Sequence, residues 1–176
     1  MTRRFSILFL FIFIFTGCTI TPTTDTTVGI SDEDPELLFQ SGQFEIAANG
    51  FIQLAQETTG AQQTFYRLRA TAALARASKL ADAKLWLAQT NTDALDNFTN
   101  TIYTLALAHI AMAERNPIDV QQLLSEPIDP LTSPLYAAEY YGLRAEAYTM
   151  LGNRLETARE LVEREKHLTD NQQILN

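Results

Sequence analysis

The stretch GQFEIAANGF, residues 42–51, sets a turn residue ahead of an aromatic at 44, a small residue at 47 and a large apolar one at 51. Steps of three and four residues return to the same side of an α-helix, so these positions share one face. The pattern recurs as KLADAKLWL from Lys79, NPIDVQQLL from Asn116 and GNRLETAREL from Gly152. Its first positions are Phe44, Leu80, Pro117 and Leu155; its second are Ala47, Ala83, Val120 and Ala158; its third are Phe51, Leu87, Leu124 and Val162. The spacings are 36, 37 and 38 residues, a period that signals repeated two-helix units.

Between these segments lie partner helices, expected over residues 35–40, 61–77, 96–114 and 132–151. Three carry apolar stripes at helical spacing: Phe65, Leu68, Ala72 and Ala75; Phe98, Ile102, Leu105, His109 and Met112; and Tyr136, Tyr140, Leu143, Ala147 and Leu151. Asp96 and Thr132 stand where N-caps belong, and Gly152 where a left-handed C-terminal residue belongs. Pro127, Pro130 and Pro134 mark the third connection as a rigid loop. No alternating β-branched run long enough for a strand appears, so the expected class is all-α. A period near 34 residues with small residues at the hairpin contact resembles tetratricopeptide repeats, which implies an α-solenoid of about four hairpins.

The amino-terminal residues read differently. A basic start with Arg3 and Arg4 precedes the eleven-residue apolar run FSILFLFIFIF, residues 5–15, and then Thr16, Gly17 and Cys18. That is the three-part layout of a secretory signal, and eleven apolar residues are too few to span a bilayer comfortably. A plain signal peptide or single-pass anchor with an incidental cysteine is the alternative. The ending resembles a bacterial lipobox, with Phe15 where leucine or a smaller aliphatic is commoner. The resemblance implies cleavage between Gly17 and Cys18, with diacylglyceryl and acyl groups carried on Cys18. More than one acyl chain anchors firmly, since each buried methylene contributes about 0.8 kcal/mol. Thr19 in place of an aspartate favours the outer membrane, by the same resemblance. The following TITPTTDTTVGISDED, residues 19–34, has six threonines and little apolar area, and reads as a tether. The expected organisation is a signal peptide at 1–17, a lipidated tether at 18–34, a helical domain at 35–168, and the start of a further, truncated helix at 169–176.

Charge and chemistry narrow the function. The net charge of −8 becomes −10 once Arg3 and Arg4 are removed, with 11 basic residues against 21 acidic, which argues against nucleic acid. Cys18 is the only cysteine, so neither a thiol nucleophile paired with a histidine nor a disulfide is expected in the helical part. His109 lies on an apolar stripe and reads as a hydrogen-bonded core or groove residue. The Glu163 and His167 pair alone is not a metal site, and no HExxH or glycine-rich phosphate loop occurs. No catalytic residue, metal or cofactor is therefore expected, nor a small-molecule substrate. Trp86, Tyr103, Tyr136, Tyr140 and Tyr141 read mainly as packing between hairpins. Tyr141 and Gln63, off the main stripes, are the candidate partner-binding surface.

The order of parts is similar to one family, the outer-membrane lipoprotein activators of class A penicillin-binding proteins (the LpoA/LppC family). What carries the likeness is the lipobox, the polar tether, AQQTFYRLRATAALARASKLADAKLWLAQ, the proline-rich loop before LYAAEYYGLRAEAYTMLGNRLETARELVEREKHL, and the closing TDNQQILN. The resemblance implies a non-enzymatic anchor and protein-binding module on the periplasmic face of the outer membrane. It would regulate peptidoglycan synthesis through a class A penicillin-binding protein, ahead of a periplasmic-binding-protein-like domain absent from this sequence. Two other readings stand beside it: a tetratricopeptide-like scaffold lipoprotein for outer-membrane or pilus assembly, and the helical scaffold of a lytic transglycosylase.

Overall fold

Each expected hairpin turn is built the same way. In the computed structural model, which describes residues 33–128 and 133–174, Gly60 (φ 64°) and four turn residues adopt a left-handed backbone, the four being Gly42 (φ 82°), Ser78 (φ 62°), Arg115 (φ 59°) and Gly152 (φ 74°). Each closes a helix with the same two bonds: the left-handed residue donates to the carbonyl three back, and its successor donates to the carbonyl five back. At the first turn these are Gly42 N to Phe39 O (3.1 Å) and Gln43 N to Leu38 O (2.9 Å); at the third, Arg115 N to Met112 O (3.0 Å) and Asn116 N to Ala111 O (2.9 Å). This Schellman arrangement satisfies the last carbonyls and reverses the chain.

Eight helices result among the described residues, with no strand: α1 Pro35–Gln40, α2 Phe44–Glu57, α3 Gly60–Arg76, α4 Leu80–Ala88, α5 Asn97–Ala113, α6 Pro117–Leu123, α7 Pro134–Met150 and α8 Arg154–Ile174. They pack as antiparallel pairs, α1 with α2, α3 with α4, α5 with α6 and α7 with α8, and α3 also packs on α2 and α5. Asp34 caps α1 through Glu36 N (2.9 Å), so the last residue assigned to the tether starts the fold. Asp96 caps α5 through Thr99 N (2.7 Å).

Two apolar clusters fill the interior. One joins α1, α2 and α3 through Leu38, Phe39, Ala47, Phe51, Ala70 and Ala73; the other joins α5, α6 and α7 around Leu68, Ile102, Leu105, Val120, Leu124 and Leu143. Leu87 packs against both. Alanines at the α3 contact let helix axes approach closely, while each large buried side chain contributes about 1.5–3 kcal/mol.

Four expectations are corrected. The left-handed residues are spaced 36, 37 and 37 apart, so the fourth repeat begins one residue earlier than the sequence pattern placed it. Arg154, Thr157 and Leu161 hold the positions of Phe44, Ala47 and Phe51, and Leu155 (63%), Ala158 and Val162 (66%) are exposed instead. Pro134 is not part of the loop; it opens α7, where a proline's missing N–H costs nothing. Residues from 169 do not open a further helix, because α8 runs unbroken through Asp170 to Ile174. Leu151 follows the end of α7 and is 44% exposed, not a member of its buried stripe. Thr132, Pro130 and the segments 1–17 and 18–32 lie outside the described residues. Among the described residues no helix is long and apolar enough to cross a membrane.

Candidate functional site

Arg69 lies mid-way along α3 and is completely buried. A guanidinium withdrawn from water is tolerable only with its donors satisfied and its charge met. Glu36 of α1 accepts from Nη2 at 2.5 Å and Nε at 3.0 Å; Glu139 of α7 accepts from Nη1 at 2.9 and 3.0 Å. The rings of Phe39, Tyr136 and Phe51 surround the guanidinium at 4.4, 5.2 and 5.6 Å from their centroids. One side chain therefore ties the first, second and fourth hairpins together.

The two carboxylates respond in opposite senses. Burial pulls both upward. At Glu36 burial prevails over the attraction of Arg69, and its pKa is raised. At Glu139 the charge of Arg69, with hydrogen bonds from His109 and Arg69, overcomes burial and brings the pKa down to about 2. The phenol of Tyr136 is pushed up by burial and by neighbouring Glu36, which its hydroxyl approaches at 3.5 Å. An ionised Glu139 only accepts, so His109 Nε2, 2.7 Å from its Oε1, carries the proton of that bond. His109 Nδ1 is buried without a partner. The ring meets Phe39 edge to face at 5.6 Å.

Above this cluster opens a groove of about 720 Å³, within the range of ligand-binding clefts. Its floor includes His109 and Glu139; Phe39, Phe44 and Met112 form one side, and Leu143, Leu161 and Leu168 the other. Arg76 of α3 and Glu146 of α7 pair across the rim at 2.7 Å. Arg164 of α8 is exposed at the groove and, among the described residues, has no ion-pair partner. The groove is largely apolar, with charged residues at its rim.

A histidine oriented by a carboxylate is half of a nucleophile-activating arrangement. Among the described residues the hydroxyls that line the groove, Thr149 and Thr157, donate to the backbone carbonyls of Ala145 (2.8 Å) and Asn153 (2.9 Å). No cluster of three or more potential metal ligands occurs among the described residues.

The surface candidates sit elsewhere. Gln63 Nε2 donates to the carbonyls of Ala55 (3.0 Å) and Thr58 (3.1 Å), closing the end of α2. Tyr141 is half-buried between α7 and α8, stacked on His167 at 5.4 Å and edge-on to Tyr140 at 5.2 Å. Neither lines the groove, and neither do Trp86, Tyr103, Tyr136 or Tyr140. Tyr140 Oη instead lies 2.7 Å from the carbonyl oxygens of both Leu124 and Glu126, which share its one hydroxyl proton. Gly17 and Cys18 lie outside the described residues. Of the groove aromatics, Phe44 was legible only as a repeat position, and nothing in the sequence singled out Phe39. Fold and site together describe a protein that is all-helical among the described residues, with one groove of about 720 Å³. Comparison with family models, curated proteins and solved structures gives no match.

Proposed function

We propose that this chain is a non-enzymatic envelope lipoprotein, held at the periplasmic face of the outer membrane by lipid on Cys18, whose helical part is a tetratricopeptide-like α-solenoid that binds a segment of another protein. The observation that carries this reading is the groove: a largely apolar concave surface that includes His109 and Glu139, whose hydroxyls among the described residues, Thr149 and Thr157, are bound to backbone carbonyls. Repeat folds of stacked hairpins use such curved surfaces for recognition. The resemblance in the order of parts supplies the partner, a class A penicillin-binding protein, and the role, an anchor and spacer that helps regulate peptidoglycan synthesis.

A photo-activatable residue at Met150, which lines the groove and is 46% exposed, tests the reading in intact envelopes. The expected product is a crosslink to a class A penicillin-binding protein. A control at Asp82, exposed and outside the groove, is expected to give none. Equal capture from both positions, or capture of no such synthase from Met150, refutes the proposal.

A further inference from the structure

One face of α7 lines the groove over almost its whole length: Leu135, Ala138, Gly142, Ala145 and Thr149 follow in steps of three and four, with Met150 at the end. At 1.5 Å per residue, Leu135 to Met150 spans about 22 Å. Four charged residues share this groove, and three of them are satisfied within the fold. Glu139 holds Arg69 and His109, and Arg76 and Glu146 hold each other at 2.7 Å. The fourth, Arg164, is exposed and has no ion-pair partner among the described residues. Its stem lies against α7, where a Cβ added at Gly142 would stand 3.5 Å from Cδ and 3.6 Å from Nε. The carboxylates nearest to it along α8 are engaged elsewhere, Glu160 with Arg144 at 2.8 Å and Glu163 with Lys166 at 3.7 Å.

His109 supplies a second unmet group. Its ring lines the groove and is 3% exposed; with Nε2 donating to Glu139, Nδ1 keeps a lone pair and has no hydrogen-bond partner. A ligand that meets both groups brings a carboxylate to Arg164 and a donor to His109, with apolar surface between. An acid with a hydrocarbon tail has no such donor. An α-helix spends its backbone N–H groups internally beyond the first turn. An extended peptide keeps them free, and sends every second side chain to the same face.

We infer that the groove takes an extended segment of a partner protein, with apolar side chains at alternate positions and one aspartate or glutamate that pairs with Arg164. At about 3.3 Å per residue, some seven residues fill the span along α7. This rests on the reading of the groove as the site for a segment of another protein, and adds the chemistry of what is bound.

The probes are end-blocked heptapeptides with leucine at alternate positions and serine between, one serine replaced in turn by glutamate or by glutamine, read by fluorescence anisotropy against the full chain. The best glutamate peptide is expected to bind at least about fivefold tighter than its glutamine twin, with an advantage that shrinks as salt is added. Arg164→Gln, at an exposed position, is expected to keep its helical circular dichroism and to stop distinguishing the twins. Equal affinity of the twins, no binding of any peptide, or a preference that survives Arg164→Gln overturns the inference. So does tighter binding of a helix-forming peptide with leucines three and four residues apart and the same single glutamate, which assigns the groove to a helix. The crosslink at Met150 reports separately on the partner: a missing synthase crosslink with the peptide preference intact refutes that partner and supports this ligand, and a synthase crosslink without the preference does the reverse.

Discussion

Glu139→Gln tests whether the buried Arg69 cluster holds the fold closed. The carboxyl sits at about 2 in the folded chain, against 4.5 for an ordinary glutamate. At roughly 1.4 kcal/mol per unit, its ionisation contributes about 3 kcal/mol near neutrality. A depressed folded value means that this stability is present above pH 4.5 and is lost as pH falls toward 2. At pH 3 less than half of it is left. Glu36 works in the opposite sense. Its raised value makes its ionisation unfavourable to the fold, so stability is regained as it protonates on the way down from neutrality, before the Glu139 loss sets in.

The glutamine keeps the shape and one acceptor but removes the charge that meets Arg69 Nη1 and His109 Nε2. Urea titrations followed by helical circular dichroism, run at pH 7, 5 and 3 on both proteins, give the comparison. The variant is expected to be less stable by about 3 kcal/mol at pH 7, a large share of the 5–15 kcal/mol typical of a domain, with the gap narrowing to about half or less at pH 3. A gap of constant size across that range refutes the assignment of the loss to the carboxylate charge. A gap below about 0.5 kcal/mol at pH 7 refutes the claim that the cluster fastens the hairpins, because surface pairs alone reach that size.

Two glycines in helices make opposite predictions. A Cβ at Gly50 meets Pro35 Cγ at 2.6 Å, so Gly50→Ala is expected to lower stability by about 1–3 kcal/mol despite alanine's better helix propensity. At Gly142 the nearest atom is Arg164 Cδ at 3.5 Å, an ordinary contact, and Gly142→Ala is expected to raise stability by up to about 1 kcal/mol; thermal melts separate the two. Ser78→Gly relieves a left-handed residue whose backbone strain is about 1–2 kcal/mol, and is expected to raise the melting temperature by a few degrees after the glycine's extra unfolded-state entropy is set against it. Cys18→Ser is expected to leave an uncleaved precursor and abolish fractionation with the outer membrane; normal cleavage and sorting of the variant refutes the lipid anchor.

The helices were legible because their signals are local: stripes at three- and four-residue spacing, an aspartate at the start of α5, a glycine at the end of α7. The fourth repeat slipped by a residue for a physical reason. Leu155, Ala158 and Val162 imitate the apolar, small, apolar order of Phe44, Ala47 and Phe51, while Thr157 and Arg154 hold the true positions and look like surface. Burial pattern alone ranks the wrong face as core; the left-handed residue fixes the register, and at Ser78 and Arg115 nothing in the residue type announces it.

The site was harder still, because its partners are remote. Arg69 meets Glu36 and Glu139 across 33 and 70 residues of sequence, and His109 meets Glu139 across 30. Arg69, Glu36 and Glu139, taken singly, read as solvated charges on helices and His109 as a hydrogen-bonded core or groove residue, and a single sequence contains no term that couples them. Yet their effect is what makes the groove. With Arg69 bound to α1 on one side and α7 on the other, Phe39 and Leu143 line a common space. On the function proposed above, the buried charges fasten the hairpins while the apolar walls bind, so a change to the cluster should disturb binding only through stability, and a change to the exposed groove residue Met150 should disturb binding with the fold intact.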